Sequence, residues 1–142
     1  MAIEQVSVFF ENKPGKLVEI LGALAENDIN ICAYSLADTS DYGILRMIFQ
    51  DPAGAVAVLK ARGFTAKATG VLGLLIDDRP GSSVRAVKLL SDAGINIEYT
   101  YAFGVPGGKA CVLLRVKDNA QAEAEALLRA DGARLISHAE LF

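Results

Sequence analysis

The chain has 142 residues, of which 52% are hydrophobic, and its formal net charge at pH 7 is −3. The acidic balance argues against nucleic acid as the main partner, and no apolar run approaches the roughly 20 residues that a membrane-spanning helix needs. The first four residues lack the basic start and the apolar core of a signal peptide. We therefore expect a cytoplasmic protein that associates with neither nucleic acid nor a membrane.

The first half of the chain predicts six elements in the order strand, helix, strand, strand, helix, strand. Residues 3–10 alternate and are rich in β-branched and aromatic side chains, which is typical of a strand. The turn Asn12-Lys13-Pro14-Gly15 follows, and Pro14 fits the first turn of the next helix. That helix presents one apolar stripe, formed by Leu17, Ile20, Leu21 and Leu24. The remaining strands are expected at residues 29–37, 43–50 and about 64–69, with a short helix that stops near Gly63.

The second half predicts the same six elements in the same order. A strand at residues 71–77 leads into the turn Asp78-Arg79-Pro80-Gly81. The helix after this turn carries Val84, Val87 and Leu90 on one side. The remaining strands are expected at residues 95–103, 109–117 and about 134–141, with a helix that ends near Gly132.

The two halves are copies of one small domain. Asp78 follows Asn12 by 66 residues, and Asn96 follows Asn30 by the same interval. A repeat of this length indicates two domains, at residues 1–69 and 70–142, since solenoid units are usually about 20–50 residues long. The element order predicts an α+β class, with two ferredoxin-like βαββαβ domains of antiparallel four-stranded sheets and helices on one face. Because Gly70 alone separates the copies, we expect them to be rigidly coupled.

The usual signatures of catalysis and metal binding are missing. His138 is the only histidine and is expected in the final strand, so no Ser-His-Asp set can form without it. The chain contains neither a GxxxxGK[ST] nor a GxGxxG phosphate-binding loop. Cys32 and Cys111 lie in apolar strands and are expected to be buried, reduced thiols. We therefore expect no enzyme, no catalytic residue, no metal site and no cofactor.

The repeated strand-to-helix loops are the candidate functional sites. A helix N-terminus offers unpaired backbone N–H groups to an anion, and Gly15 and Gly81 let a ligand approach the backbone. A neighbouring Asn12 or Asp78 could accept hydrogen bonds from an ammonium group, so the loops suit a zwitterion such as an amino acid. In the simpler interpretation, Asn12 and Asp78 only cap the helices, and the Pro-Gly pairs only make the turns. Asn30 is interpreted as turn chemistry in a left-handed conformation, as is its counterpart in the second copy.

The pattern [ND]-[KR]-P-G, an aliphatic helix and I-N-I at a strand start, found twice, resembles a tandem pair of ACT domains. The resemblance implies a regulatory protein that binds an amino acid at the interface between paired domains, forms a homodimer and has a regulated enzyme as a possible partner. It implicates loop residues and the start of the second strand in each copy. These are Asn12, Pro14, Gly15, Lys16, Leu17, Ile31 and Cys32, then Asp78, Pro80, Gly81, Ser82, Ser83, Ile97 and Glu98. The Asp78 loop is the first candidate because it adds a carboxylate and two hydroxyls.

Three other functions compete with this hypothesis. The main alternative is a protein–protein interaction module that takes no small ligand. An enzyme of acylphosphatase type would use the same topology, with an arginine in the first loop and an asparagine, nominally Arg79 and Asn96. RNA binding would need exposed aromatic side chains on one sheet face, for which Tyr99, Tyr101 and Phe103 alternate correctly, although the acidic balance weighs against it.

Overall fold

The computed structural model describes residues 2–142 and confirms the α+β class. Across this part of the chain the first half comprises β1 (Ile3–Glu11), α1 (Lys16–Glu26), β2 (Ala33–Asp38), β3 (Tyr42–Ile48) and α2 (Pro52–Ala61). The second half comprises β4 (Thr65–Asp77), α3 (Val84–Asp92), β5 (Tyr99–Val105), β6 (Lys109–Arg115), α4 (Gln121–Ala130) and β7 (Arg134–Ile136). Short 3-10 helices lie at Asp118–Ala120 and Ala139–Leu141. None of the helices in residues 2–142 is long and apolar enough to cross a membrane.

The chain forms two compact units, one of residues 4–69 and one of residues 2–3 with 70–142. In the first unit the strand order is β2-β3-β1-β4, where residues 65–69 of β4 belong to this unit. Strand β3 pairs antiparallel with both β1 and β2, and Glu11 lies opposite Tyr42 while Gln5 lies opposite Ile48. The loop after β1 therefore lies at the same end of the sheet as the turn between β2 and β3.

The core of the first unit lies between its sheet and its two helices. Val8 of β1 and Leu45 of β3 are fully buried, as are Ile20 of α1 and Leu59 of α2. Alternate strand positions point to one face of a sheet, and the i, i+3, i+4 positions of a helix form one stripe, so these periods bring the four side chains together. The apolar stripe predicted for α1 is thus the surface that holds this helix on the sheet.

The second unit has the same plan. Strand β4 pairs antiparallel with β6 and with β7, and β6 pairs with β5. Its core contains Leu72 and Leu114 from the strands and Leu90 and Leu128 from the helices, all of them buried. The loop after β4 lies at the sheet end where Asp77 pairs with Lys109.

Several predicted boundaries differ from the structure. The strands expected at residues 64–69 and 71–77 are one continuous strand, β4, because Gly70 keeps an extended conformation instead of breaking the pairing. The last strand ends at Ile136, so His138 is not in a strand but precedes the final 3-10 helix, where its ring lies 5.2 Å from that of Phe142. The prediction of Pro14 in the first helical turn is also wrong, since α1 begins at Lys16 after an N-cap at Gly15.

Side-chain environments also correct the sequence-based expectations. Cys111 is buried as expected, but Cys32 is exposed because it lies just before β2, outside the regular strand. Partial desolvation raises the pKa of the Cys32 thiol. The left-handed residues after α1 and α3 are Asp28 and Gly94, with φ of 55° and 74°, and not the asparagines two residues later.

The RNA-binding alternative loses its sequence support here. Tyr99, Tyr101 and Phe103 do share one face of β5, as their alternation predicts, but all three are half-buried. Bases stack on aromatic rings that are accessible, so these three side chains do not provide an open stacking platform.

We expect the substitution Gly43→Ala to destabilise the first unit. A Cβ atom at Gly43 would lie 2.6 Å from Cζ of Phe10, a buried ring that cannot move aside freely. Overpacking of this kind typically costs about 1–3 kcal/mol. Gly104→Ala is the matched control, because that position in β5 has no atom within 4 Å of the added Cβ. Urea unfolding of both variants measures the difference, and equal stability of the two would contradict this packing.

Candidate functional site

The two strand-to-helix loops share one backbone hydrogen-bond pattern. Asn12 N donates to Asp41 O at 2.9 Å in the first unit, and Asp78 N donates to Gly108 O at 2.9 Å in the second. In each loop the next residue, Lys13 or Arg79, donates to the carbonyl two residues earlier, at 2.8 and 2.9 Å respectively. The pattern ties each loop to the β-hairpin turn beside it. The repeat in the sequence is therefore a repeat in backbone geometry.

Neither loop uses its first residue as a helix cap. Helix α1 has Gly15 as its N-cap and α3 has Ser83, and neither N-cap makes a side-chain cap hydrogen bond. The Asn12 amide instead donates to Thr39 O at 3.4 Å. The Asp78 carboxylate makes no hydrogen bond or ion pair with any residue in 2–142. Capping by Asn12 or Asp78 is therefore wrong, because each lies too far before the helix start to reach its N–H groups.

The loop backbones are open to solvent at their glycines. Gly15 and Gly81 have φ of 90° and 82°, and a Cβ at either position would meet no atom within 4 Å. The Pro-Gly pairs thus make the turns, as the simpler interpretation has it, while leaving free space above the backbone. Pro14, Pro80 and Asp78 are exposed. The neighbouring helix-start residues are half-buried, and these are Lys16, Leu17, Ser82 and Ser83.

The other candidate residues lie far from the loop of their own unit. Cys32 N donates to Ile48 O, at the end of the first sheet opposite the Asn12 loop, and Ile31 precedes it. The two ends are six residue steps apart along β1, from Gln5 to Glu11, which is roughly 20 Å. In the second unit, Glu98 N donates to Arg115 O and its carboxylate pairs with Arg115 Nε at 3.6 Å, again at the far end, with Ile97 beside it. Within one unit the loop and the second strand's start therefore do not form one site.

A cleft of about 560 Å³ lies beside the loop in the second unit. Its floor is apolar, and its rim brings together the end of β4, the start of α3 and the turn between α4 and β7. The charged and polar residues of the rim are Asp77, Arg79, Ser82, Arg85, Lys109, Asp131 and Arg134. Ser82 is the residue that this cleft shares with the set implicated by sequence.

The first unit has a smaller cleft of about 360 Å³ at the corresponding place. Its polar and charged lining residues are Glu11, Lys16, Glu19, Tyr42, Arg62 and Thr65. They correspond along the repeat to Asp77, Ser82, Arg85, Lys109, Asp131 and Arg134. The two clefts are therefore equivalent in position and different in chemistry.

Ion pairs organise the rim of the second cleft. Arg85 binds Asp131 in a bidentate pair, with Nε–Oδ2 and Nη2–Oδ1 distances of 2.7 and 3.0 Å. Asp77 is shared between Lys109 and Arg79, whose Nη2 lies 3.0 Å from Oδ2. Hydrogen bonds from Lys109 and from Arg85 hold the pKa of Asp77 and of Asp131, respectively, below the ordinary range. Both carboxylates therefore stay ionised at neutral pH.

Apart from Ser82 and Arg79, these rim residues were missed by the sequence prediction. Asp131 and Arg134 lie more than 45 residues from Arg85 along the chain, so no local motif joins them. A comparison of the two copies was the available signal, because Glu19 becomes Arg85 and Thr65 becomes Arg134 at equivalent positions. These differences change the charge of the rim at otherwise matched positions.

The acylphosphatase alternative is not supported by this geometry. Asn96 precedes Glu98 at the far end of the second sheet, whereas Arg79 lies in the loop and pairs with Asp77. An arginine and a water-orienting asparagine must act on the same substrate atoms, and these two lie at opposite ends. No group of three or more His, Cys, Asp and Glu side chains within residues 2–142 could hold a metal ion.

We expect Gly81→Ala to destabilise the protein and Gly22→Ala to stabilise it. An L-residue in the left-handed region costs about 1–2 kcal/mol, and Gly81 has φ of 82°. Gly22 lies inside α1 with free space around it, so alanine there should add about 1 kcal/mol. Urea unfolding checks both signs. A neutral Gly81→Ala would show that the turn does not need its left-handed glycine.

We expect the stabilising contribution of the Arg85–Asp131 pair to be lost at acid pH. Because the pKa of Asp131 is lowered on folding from its ordinary value of 3.8, the pair stabilises the protein above that value, and this contribution is lost as pH falls below it. A ¹³C carboxyl titration should give Asp131 a pKa below 3.8 in the wild type and a higher one in Arg85→Gln. The control Lys88→Gln removes an exposed cation from the same helix, and an equal change there would contradict the assignment.

Comparisons with known proteins agree with this fold. The chain matches the family model described as ACT domain pair over residues 1–140. A solved structure of protein BT0572 from Bacteroides thetaiotaomicron is similar, with 33% identity over 99% of this chain and 96% of that chain and a TM-score of 0.90.

More distant structures share the fold alone. The regulatory subunits of aspartate kinase from Thermus flavus and, in ligand-free form, from Thermus thermophilus are each 19% identical to this chain. For the Thermus flavus subunit the TM-score is 0.62, and the match covers 92% of this chain and 90% of that chain. For the Thermus thermophilus subunit the TM-score is 0.63, and the match covers 93% of this chain and 92% of that chain. No curated protein matches. The family match covers nearly the whole chain and the 33% identical structure has the same fold, so the chain belongs to the ACT domain pair family, whose domains are regulatory ligand-binding modules.

Proposed function

We propose that the protein is a non-enzymatic regulatory protein that binds an amino acid at its strand-to-helix loops, and first of all at the Asp78 loop. The observation that carries the proposal is the Asp78 carboxylate, which is exposed and makes no contact with a partner in residues 2–142 although the backbone of its loop is held in place by hydrogen bonds. A carboxylate that neither caps a helix nor forms an ion pair is available to a ligand.

The loop offers both halves of a zwitterion a partner. Asp78 can accept hydrogen bonds from an ammonium group, and charge-assisted bonds of this kind are stronger than neutral ones. The backbone at Gly81 and the hydroxyls of Ser82 and Ser83 can donate to a carboxylate near the positive end of α3. The Asn12 loop has the same backbone but offers a neutral amide oxygen in place of a carboxylate, while its N–H₂ group donates to Thr39 O. The second loop is therefore the better amino-acid site.

We further propose that the protein acts as a homodimer and that ACT domains of paired copies complete the ligand site, with Ile31, Cys32, Ile97 or Glu98 supplied by a neighbouring domain. Exposed apolar side chains beside each loop support pairing. Val18 of α1 and Val84 of α3 occupy equivalent positions of the repeat and are 74% and 62% exposed. A regulated enzyme would then respond to the ligand through the protein's paired surfaces.

A second candidate function is an interaction module without a small ligand. Strand β2 is the edge of the first sheet, and its Tyr34 and Leu36 are 57% and 50% exposed. An edge strand with large apolar side chains is a template for another protein segment. This candidate requires no ligand at the Asp78 loop.

The test measures the melting temperature of ligand-free protein against a panel of the common amino acids at millimolar concentration. A ligand at about 100 times its dissociation constant adds roughly 2.7 kcal/mol to stability, so at least one amino acid should raise the melting temperature. Asp78→Ala should abolish this shift and leave the unliganded stability within about 0.5 kcal/mol, since the side chain caps nothing.

Asp41→Ala is the matched control, because it removes an exposed carboxylate from the hairpin turn beside the first loop. It should retain the melting shift. If no amino acid shifts the melting temperature of the wild type, the amino-acid proposal fails and the interaction module becomes the leading function. If Asp78→Ala binds as the wild type does, the loop assignment fails.

A further inference from the structure

We propose that the 560 Å³ cleft of the second unit binds a small organic anion that carries at least two negative charges. This ligand is additional to the amino acid proposed for the Asp78 loop, and its site does not depend on that proposal. The cleft lies on the helix side of the loop, between the end of β4, the start of α3 and the turn before β7.

The rim carries more positive charge than its own carboxylates neutralise. Four cationic side chains line the cleft, and two carboxylates face them, which leaves an excess of two positive charges. The carboxylates are Asp77 and Asp131, and each is already engaged with its own cation. Because the whole chain has a net charge of −3, this local excess is opposite in sign to the protein's overall charge.

Two of the four cations are incompletely neutralised. Arg79 shares the single carboxylate of Asp77 with Lys109. Arg134 has a nearby carboxylate only in Glu140, at 3.8 Å among residues 2–142, and the other oxygen of Glu140 accepts from Ser137 N and Oγ at 3.1 and 3.0 Å. Glu140 is therefore held by Ser137 and gives Arg134 only a long contact. The Arg134 guanidinium can turn to a ligand without leaving a short ion pair.

The volume and the lining of the cleft indicate the size and chemistry of the anion that would fit it. Its volume lies within the range of about 300–1,000 Å³ that is usual for small-molecule sites. The apolar residues of its lining, Leu74, Leu75, Ile76, Ala86 and Ala133, suit a short carbon frame. Guanidinium groups donate two parallel hydrogen bonds to either a carboxylate or a phosphate. The shared chemistry is thus a compact dianion, whether dicarboxylate or phosphorylated metabolite.

The first unit supplies a built-in comparison. At the equivalent positions, Arg85 is replaced by Glu19, Lys109 by Tyr42 and Arg134 by Thr65. Two other positions differ in the opposite sense, since Lys16 corresponds to Ser82 and Arg62 to Asp131. With Lys13, the counterpart of Arg79 that pairs with Glu11 at 2.7 Å, the first unit has three cations against two carboxylates, an excess of one positive charge where the second unit has two. Ion pairs that serve only to hold a turn in place need no surplus of cations, and the first unit has the same turn with a smaller surplus. The surplus in the second unit is what a ligand would neutralise.

The experiment uses the full chain and two organic dianions, succinate and glycerol 3-phosphate, at constant ionic strength and slightly alkaline pH. Titration calorimetry and ¹⁵N chemical shifts measure affinity and location, with acetate as the monoanion control. At least one dianion should bind with shifts confined to the cleft. Arg134→Gln should weaken binding by about fivefold or more, and Arg134→Gln with Lys109→Gln by clearly more than either single substitution.

Lys88→Gln is the matched control, because it removes an exposed cation of α3 that pairs with Asp92 outside the cleft. It should change the affinity by less than about twofold. Equal weakening by Lys88→Gln and Arg134→Gln would mean a diffuse charge effect and would overturn the proposal. The proposal would also be overturned if acetate bound as tightly as both dianions. It would be overturned equally if neither dianion bound at a concentration of about 10 mM. Preference for succinate or for glycerol 3-phosphate supports the site and identifies the class of the anion.

Discussion

A left-handed glycine at the strand-to-helix turn is the constraint on which the rest of each unit depends. The chain has only a few residues in which to leave the strand and start a helix that lies back on the sheet. Gly15 and Gly81 make this reversal at φ of 90° and 82°, which L-residues adopt only at a cost. A hydrogen bond from the residue three positions earlier then fixes the loop to the neighbouring hairpin turn. With the reversal in place, the apolar stripe of each helix meets the alternate apolar positions of the strands.

The same constraint creates the space that carries the proposed chemistry. The turn needs a residue without a Cβ, so the backbone there is open, and the polar residues around it are not used to hold the helix. Residues that fold the loop and residues that face a ligand are therefore different ones. This separation explains why the Asp78 carboxylate can remain without a partner in residues 2–142 while its own backbone N–H is firmly bonded.

Much of the fold could be predicted from the sequence because three patterns specify it: the alternation of strands, the apolar stripe of helices and the repeat of the two halves. Alternation in residues 3–10 predicted β1 nearly to its end, and the stripe from Leu17 to Leu24 predicted α1. The predictions failed where a strand was expected to break and where elements begin or end. Gly70 lacks a side chain to mark it as strand or turn, and only pairing with neighbouring strands decides that β4 runs through it. The exposure of Cys32 likewise depends on where β2 begins, which local composition does not determine.

The candidate site was less predictable for a physical reason. The loops were found because their residues are consecutive, whereas the clefts are assembled from segments that only the folded chain brings together. Arg85 and Asp131 form a bidentate pair across 46 residues, and nothing in either segment alone indicates the other. The repeat does point to the cleft residues, because equivalent positions of the two copies have the same backbone geometry and different side chains.

The duplication makes the side-chain differences between the two cleft rims informative. When two copies keep the same loop geometry, selection for folding acts on both alike, and it cannot by itself explain why Glu19 and Thr65 correspond to Arg85 and Arg134. The charge is reversed at two positions of the rim, since Arg62 also corresponds to Asp131, and a positive charge is added at Lys109 and Arg134. The apolar core around both clefts remains of one kind. A difference confined to exposed rim residues leaves stability little changed and alters what the cleft attracts. The two units therefore share a scaffold and differ in the charge of their cleft rims, and the second unit has an acidic loop and a basic cleft within a few residues of each other.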